Sequence, residues 1–144
     1  MNTLVLDASV AAKWFLPATG EPLTDEALEL LKRYTRGDLR FLVPDLFWPE
    51  LGNVFWKAVR QRRWMQATAE AALGSARDRN FPTLPALPLL GDAFSIASTF
   101  DRSVYDGLYV AAALAAKTDL LTADERLANA LAAYLPVKWL GSYL

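Results

Sequence analysis

Residues 3–17 read TLVLDASVAAKWFLP. Thr3 to Leu6 is a short run without charge, the pattern of a strand covered on both faces, as in parallel sheets. Asp7-Ala8-Ser9 follows at once, then VAAKWFL, a short helix ended by Pro17, because a proline inside a helix removes a backbone donor and clashes with the preceding turn. A buried strand that runs straight into a helix sets a pattern for the rest of the chain.

Thr24 or Asp25 can cap a second helix reaching about Tyr34, which Gly37 and Asp38 break. Phe41 to Val43 forms a second strand, stopped by Pro44. Asp45 opens a long helix to about Arg62, in which Pro49 is tolerable only near the first turn. A further helix covers Gln66 to Arg79. The proline-rich stretch FPTLPALPLL, residues 81–90, holds a short strand near Leu84 to Leu87. Helices follow over Leu90 to Phe100 and, with Ser103 as cap, to Lys117. Leu120 and Leu121 make another apolar strand, TADERLANALAAYL (122–135) is helical, and Val137 to Leu140 adds a last strand. The alternation implies an α/β fold, a three-layer α/β/α sandwich with a mainly parallel central sheet. With no internal repeat, low-complexity tract or linker, residues 1–144 read as a single domain.

Composition narrows the chemistry. Of 144 residues, 53% are hydrophobic, ample for one core. There is no Cys and no His, which excludes disulfides, thiolate or imidazole metal ligands and a Ser-His-Asp triad. If the protein is an enzyme, carboxylates carry the chemistry with a hard cation. No segment reads as a signal peptide or a bilayer-crossing run, so the expected location is cytoplasmic. The formal net charge of −1 opposes nucleic-acid binding. With four acids neutralised by metal, 15 cations face the remaining 12 acids, and the opposition disappears.

The four acids are Asp7, Glu50, Asp106 and Asp124. In open α/β sheets, ligands sit beyond the carboxyl ends of the strands. Asp7 follows the first strand, Glu50 lies early in the helix after the second, Asp106 in the first turn of a helix, and Asp124 just past the Leu120–Leu121 strand. Grouped carboxylates repel one another unless a cation neutralises them. Mg²⁺ or Mn²⁺ suits an all-oxygen donor set, and two such ions can stabilise both attacking and leaving oxygens of a phosphodiester. Each acid also has a structural reading. Asp7 and Asp124 can serve helix N-termini, Asp106 stands three residues after Ser103 as in a capping box, and Glu50 can be a solvated first-turn residue. Taken jointly on one edge, they favour a site. Ser9 and Thr122 are possible auxiliaries or helix caps. Asn53, one turn after Glu50 on the same face, can reach the site or stay exposed.

Three segments, VLDASVAAKWFLP (5–17), VPDLFWPELGNVFWKAVRQ (43–61) and SVYDGLYVAAALAAKTDLLTADERL (103–127), together resemble the PIN-domain nucleases, and among them the VapC-type toxins of toxin–antitoxin pairs. The resemblance implies metal-site acids at Asp7, Glu50, Asp106 and Asp124, with Thr122 often counted beside them. It further implies a Mg²⁺- or Mn²⁺-dependent endoribonuclease acting on tRNA or another structured RNA, a VapB-like antitoxin partner and a homodimer. Gly107 departs from the family's helix-favouring residue there and should weaken its helix. Two other readings of the residues stand beside this one: a Mg²⁺-binding phosphoacceptor module and a non-catalytic binding protein. Lys57, Arg60, Arg62 and Arg63 read as a solvated helix end, whereas Lys13 and Arg102 lean toward RNA phosphates. Of the aromatics between Trp14 and Trp64 most belong to the core, but adjacent pairs such as Phe55–Trp56 cannot both face inward.

Overall fold

A computed structural model describes residues 2–144. Five strands form one parallel sheet in the order β3-β2-β1-β4-β5. They are β1 (Asn2–Leu6), β2 (Leu39–Pro44), β3 (Thr83–Leu84), β4 (Asp119–Thr122) and β5 (Val137–Trp139). Leu4, Val5 and Leu6 of β1 and Leu120 and Leu121 of β4 are almost wholly buried, as central strands covered on both faces require.

The helices are α1 (Ala8–Ala11), α2 (Thr24–Thr35), α3 (Phe47–Arg60), α4 (Gln66–Asp78), α5 (Leu90–Phe100), α6 (Val104–Ala116), α7 (Glu125–Leu131) and α8 (Leu140–Tyr143). α6 packs across β2, β1 and β4, while α1, α2 and α3 group around the 3-10 turn at Ala12–Trp14. Right-handed crossovers place these two sets on opposite faces of the sheet, giving the expected three layers.

Several boundaries differ from the sequence reading, each for a local reason. The first helix begins at Ala8, because Asp7 caps it, and tightens into the 3-10 turn. Neither Thr24 nor Asp25 caps α2: Leu23 takes the cap position at φ 60 without a side-chain bond, and Asp25 and Glu26 lie in the first turn where the helix dipole favours acids. Asp45 does not open α3; its carboxylate accepts the Ala86 N–H at 3.1 Å and its own N–H bonds Leu84 O at 2.8 Å. The helix starts two residues later, so Pro49 occupies the first turn, where its missing N–H goes unneeded. The proline-rich strand is only Thr83–Leu84, since Pro85 has no N–H to continue the ladder.

The aromatics divide as expected at Phe55–Trp56, but both members of Trp14–Phe15 and of Phe47–Trp48 pack against the core. Phe41 stacks on Tyr34 at 4.9 Å and meets Phe81 edge-on at 5.7 Å. Trp14 anchors α2 by donating its indole N–H to Ala27 O at 2.8 Å. Phe55 is buried, while its neighbour Trp56 is 53% exposed under the Arg60 guanidinium.

Gly107 has a structural explanation. α5 and α6 approach so closely there that a Cβ on Gly107 would stand 2.3 Å from the Ala93 carbonyl oxygen. The glycine therefore gives up some helix propensity and permits this crossing.

Candidate active site

The strand order reverses at β1: β2 and β3 lie to one side, β4 and β5 to the other. That is the switch point at which ligands of open α/β sheets bind. Leu6 of β1 pairs with Leu121 of β4, and the Asp7 N–H continues the ladder to Leu121 O at 3.1 Å. Register thus sets Asp7 beside Thr122, 115 positions later in the chain. The Thr122 hydroxyl donates to Asp7 Oδ2 at 2.7 Å and accepts the Asp124 N–H at 3.0 Å. Asp7 Oδ1 accepts the Ser9 N–H at 3.2 Å, and Ser9 Oγ accepts the Ala123 N–H at 3.2 Å. Two of these bonds, Thr122–Asp7 and Ala123–Ser9, stitch together the turns leaving β1 and β4, and the other two shape each turn from within.

The other acids arrive on helices. Asp106, in the first turn of α6, gives its N–H to Ser103 Oγ at 3.0 Å and accepts from Arg102 Nε at 3.3 Å. Asp124 caps α7 through the Leu127 N–H at 3.1 Å. Capping and pairing roles are therefore real for Asp7, Asp106 and Asp124, alongside whatever chemistry they perform. Asn53 is exposed one turn beyond Glu50.

Electrostatics tie the acids into one field. Burial pushes the Asp7 carboxyl above the usual carboxylate range; bonds from Thr122 and Ser9 oppose the rise, and the charge of Asp106 adds to it. Glu50 is pushed up to about 7, first by burial and then by the charges of Asp7 and Asp106. Asp106 is also raised by burial; Arg102 pulls it down, and Asp124 works against Arg102. Each effect has the expected sign for carboxylates sharing a poorly solvated space.

Tyr109 completes the arrangement and was not singled out from sequence. Its buried hydroxyl accepts the Ala8 N–H at 3.4 Å, and it lies near enough to Glu50 to pull that carboxyl down. Burial, followed by the charges of Asp7 and Glu50, holds the phenol well above its ordinary range. The available signal was its position three residues after Asp106, on the same helical face.

Among the described residues, no three acidic side chains converge into a ready-made ligand cluster. The reason is visible: Asp7 faces Thr122, Asp106 faces Arg102, and Asp124 faces the Leu127 amide. The donor chemistry nevertheless fits a hard divalent cation. Every candidate donor is an oxygen, charges of neighbouring acids add to the rise of Asp7, Glu50 and Asp106, and among the described residues Arg102 is the only cation bonded to any of the four. Binding would require Asp106 and Asp124 to exchange protein partners for the ion.

Lys13 and Arg102 depart from the expected RNA-facing role. Lys13 is buried and bonds Glu21 Oε2 and Pro22 O, both at 2.7 Å. Arg102 is engaged with Asp106.

The PIN domain family model matches residues 4–131. The chain belongs to the PIN domain family. Members of this family are generally nucleases. Comparison by sequence with curated proteins finds no match. Among solved structures, this PIN domain is similar to PAE2754 from Pyrobaculum aerophilum, with a TM-score of 0.70 and 23% identity over 97% of this chain and 90% of that one. It is also similar to a chain of a toxin–antitoxin complex from Klebsiella pneumoniae, with a TM-score of 0.61 and 14% identity over 94% and 95% of the two chains. At these identities the likeness is one of fold. Among the described residues, no helix is long and apolar enough to cross a membrane.

Proposed function

We propose that this PIN domain is a Mg²⁺- or Mn²⁺-dependent endoribonuclease, a VapC-type toxin held in check by a VapB-like antitoxin. Its catalytic and metal-holding residues are Asp7, Glu50, Asp106 and Asp124, with Thr122, Ser9 and Tyr109 in support. The observation that carries this reading is the gathering, at the sheet's switch point, of partly desolvated acids whose charges reach one another: Asp106 acts on Asp7, Asp7 and Asp106 act on Glu50, and Asp124 acts on Asp106. Family membership supports nuclease chemistry. The fold likeness to the toxin–antitoxin complex supports the antitoxin as partner. RNA, as tRNA or another structured RNA, is the substrate, and the working unit is a homodimer.

A bound divalent ion would neutralise the acids and stabilise charge on phosphate oxygens. The chain's own residues do the rest. Burial and then the charges of Asp7 and Asp106 push Glu50 up to about 7, so without metal its carboxyl holds and releases a proton near neutral pH. Tyr109 fixes that carboxyl from below, and Thr122 keeps Asp7 turned toward β4. Arg102 holds Asp106 and moderates its rise. Ser9 keeps the two strand-end turns at a fixed separation.

The test is cleavage of a total tRNA pool by the purified protein with Mn²⁺, with and without chelator. Cleavage should stop with chelator and fall by about 10²-fold or more in Asp7→Asn and Asp106→Asn. Failure to cut any RNA supplied with metal overturns the reading.

A further inference from the structure

A groove of about 350 Å³ leads away from the acidic site between two helical walls. Ala12, Lys13 and Leu16 line one wall. On the other, Val54, Lys57, Ala58 and Gln61 follow the i, i+3, i+4, i+7 face of α3. That face is about 10 Å long at 1.5 Å per residue. Ser9, Ala123 and Asp124 also line it, so the groove reaches the turn after β4 that carries one of the candidate carboxylates.

The far end is closed by a charged clasp. Glu21 takes Lys13 at 2.7 Å and Arg63 at 3.4 Å. Arg63 reaches Glu21 because α3 ends in a left-handed turn: Arg62 stands at φ 60, and the Arg63 N–H returns to Ala58 O at 2.9 Å. Lys13 is fully engaged, whereas the Arg63 side chain is 40% exposed and loosely held. Lys57 has no acidic partner among the described residues. Three cations therefore meet two acids, and the excess lies on the α3 wall. An anionic backbone whose phosphates alternate with sugar C–H edges suits such a lining, basic along the wall and apolar at Ala12, Leu16, Val54 and Ala58.

We propose that this groove seats the backbone of a single RNA strand beside the bond to be cut. Lys57 and Arg63 contact its phosphates, and Glu21 is the positioning residue that aims Arg63. The proposal rests on the nuclease reading and adds the path by which substrate reaches it. It also reverses the sequence expectation, which put Lys13 on RNA and the Lys57–Arg63 cluster in plain solvent.

Binding of a short fluorescent single-stranded RNA is followed by anisotropy, with chelator present and at several salt concentrations. Both cations are exposed, so Lys57→Gln and Arg63→Gln should fold as wild type. Each should weaken binding about three- to tenfold and reduce the slope of log K against log salt by about 0.7, the value for one phosphate contact on a single strand. Lys57→Arg should retain binding, and Arg40→Gln, an exposed change on β2 outside the groove, should have no effect. In cleavage assays with Mn²⁺ the loss should fall in KM. Glu21→Gln should match the Arg63 variant in salt slope.

If the wild type cuts RNA while both Gln variants bind with unchanged affinity and slope, the groove is refuted and the nuclease survives. If the wild type neither binds nor cuts RNA, both fall. If Lys57→Gln loses affinity for a polyglutamate peptide but not for RNA, the groove docks protein and the proposal is overturned.

Discussion

Replacing Gly107 with alanine sets two effects against each other. In an isolated helix the change stabilises by about 1 kcal/mol, because alanine has the better propensity. Here the new methyl would lie 2.3 Å from Ala93 O and 3.0 Å from Ala93 C. These are backbone atoms in a buried helix crossing, so relief requires α5 to move away from α6. Overpacking of this kind costs about 1–3 kcal/mol, occasionally more. The contact is unusually close, so a cost near or above the upper end is expected, leaving a net loss of about 2 kcal/mol. For a domain of this size that lowers Tm by roughly 4–8 °C. Gly74→Ala in α4 is the matched control: nothing lies within 4 Å of its Cβ, and stability should rise by about 0.5–1 kcal/mol. Thermal melts of both variants decide the matter. A Gly107→Ala protein as stable as wild type would refute the inference that this glycine exists to let the two helices touch.

Metal-free protein should lose stability between pH 4.5 and about 7, because the folded Glu50 carboxyl holds its proton more tightly than in the unfolded chain, and Asp7 and Asp106 are shifted the same way. Melts in chelator should show Tm falling across that window, and Mn²⁺ should restore it at pH 8 far more than at pH 5; a flat or rising profile contradicts the shared field. Tyr109→Phe strands the Ala8 N–H and costs about 1–3 kcal/mol. It also removes a bond that lowers Glu50, so the acid limb of the cleavage–pH profile should move to higher pH. Thr122→Val deprives Asp7 and Asp124 of one shared hydroxyl, at about 1–3 kcal/mol, and chemical denaturation should report it even in chelator, where no metal effect contributes.

Much of this was legible in the chain because buried parallel strands and their helices have distinct periods. TLVL and Leu120–Leu121 announced themselves by lack of charge, and Ser103 by its spacing to Asp106. Asp7 was conspicuous as an acid ending an apolar strand. Its contact with Thr122 was not legible, since register between strands more than a hundred residues apart leaves no local trace. Tyr109 looked like one more aromatic in an apolar helix. Gly107 read as a weakness because only coordinates reveal a helix pressed against it. The role of Lys13 was hidden for a similar reason: its ion pair with Glu21 depends on how the 15–23 loop folds back.

The pairing of β1 with β4 has a bearing on synthesis. A nascent chain that has not yet reached residue 119 offers β1 no neighbour on that side, and Asp7 has no Thr122 to hold it. The acidic pocket therefore cannot close before Thr122 has been made. A product released early would keep an open strand edge, prone to pairing with other chains, and would lack the assembled centre. On the proposed nuclease reading, translation order alone would keep such incomplete copies from cutting RNA.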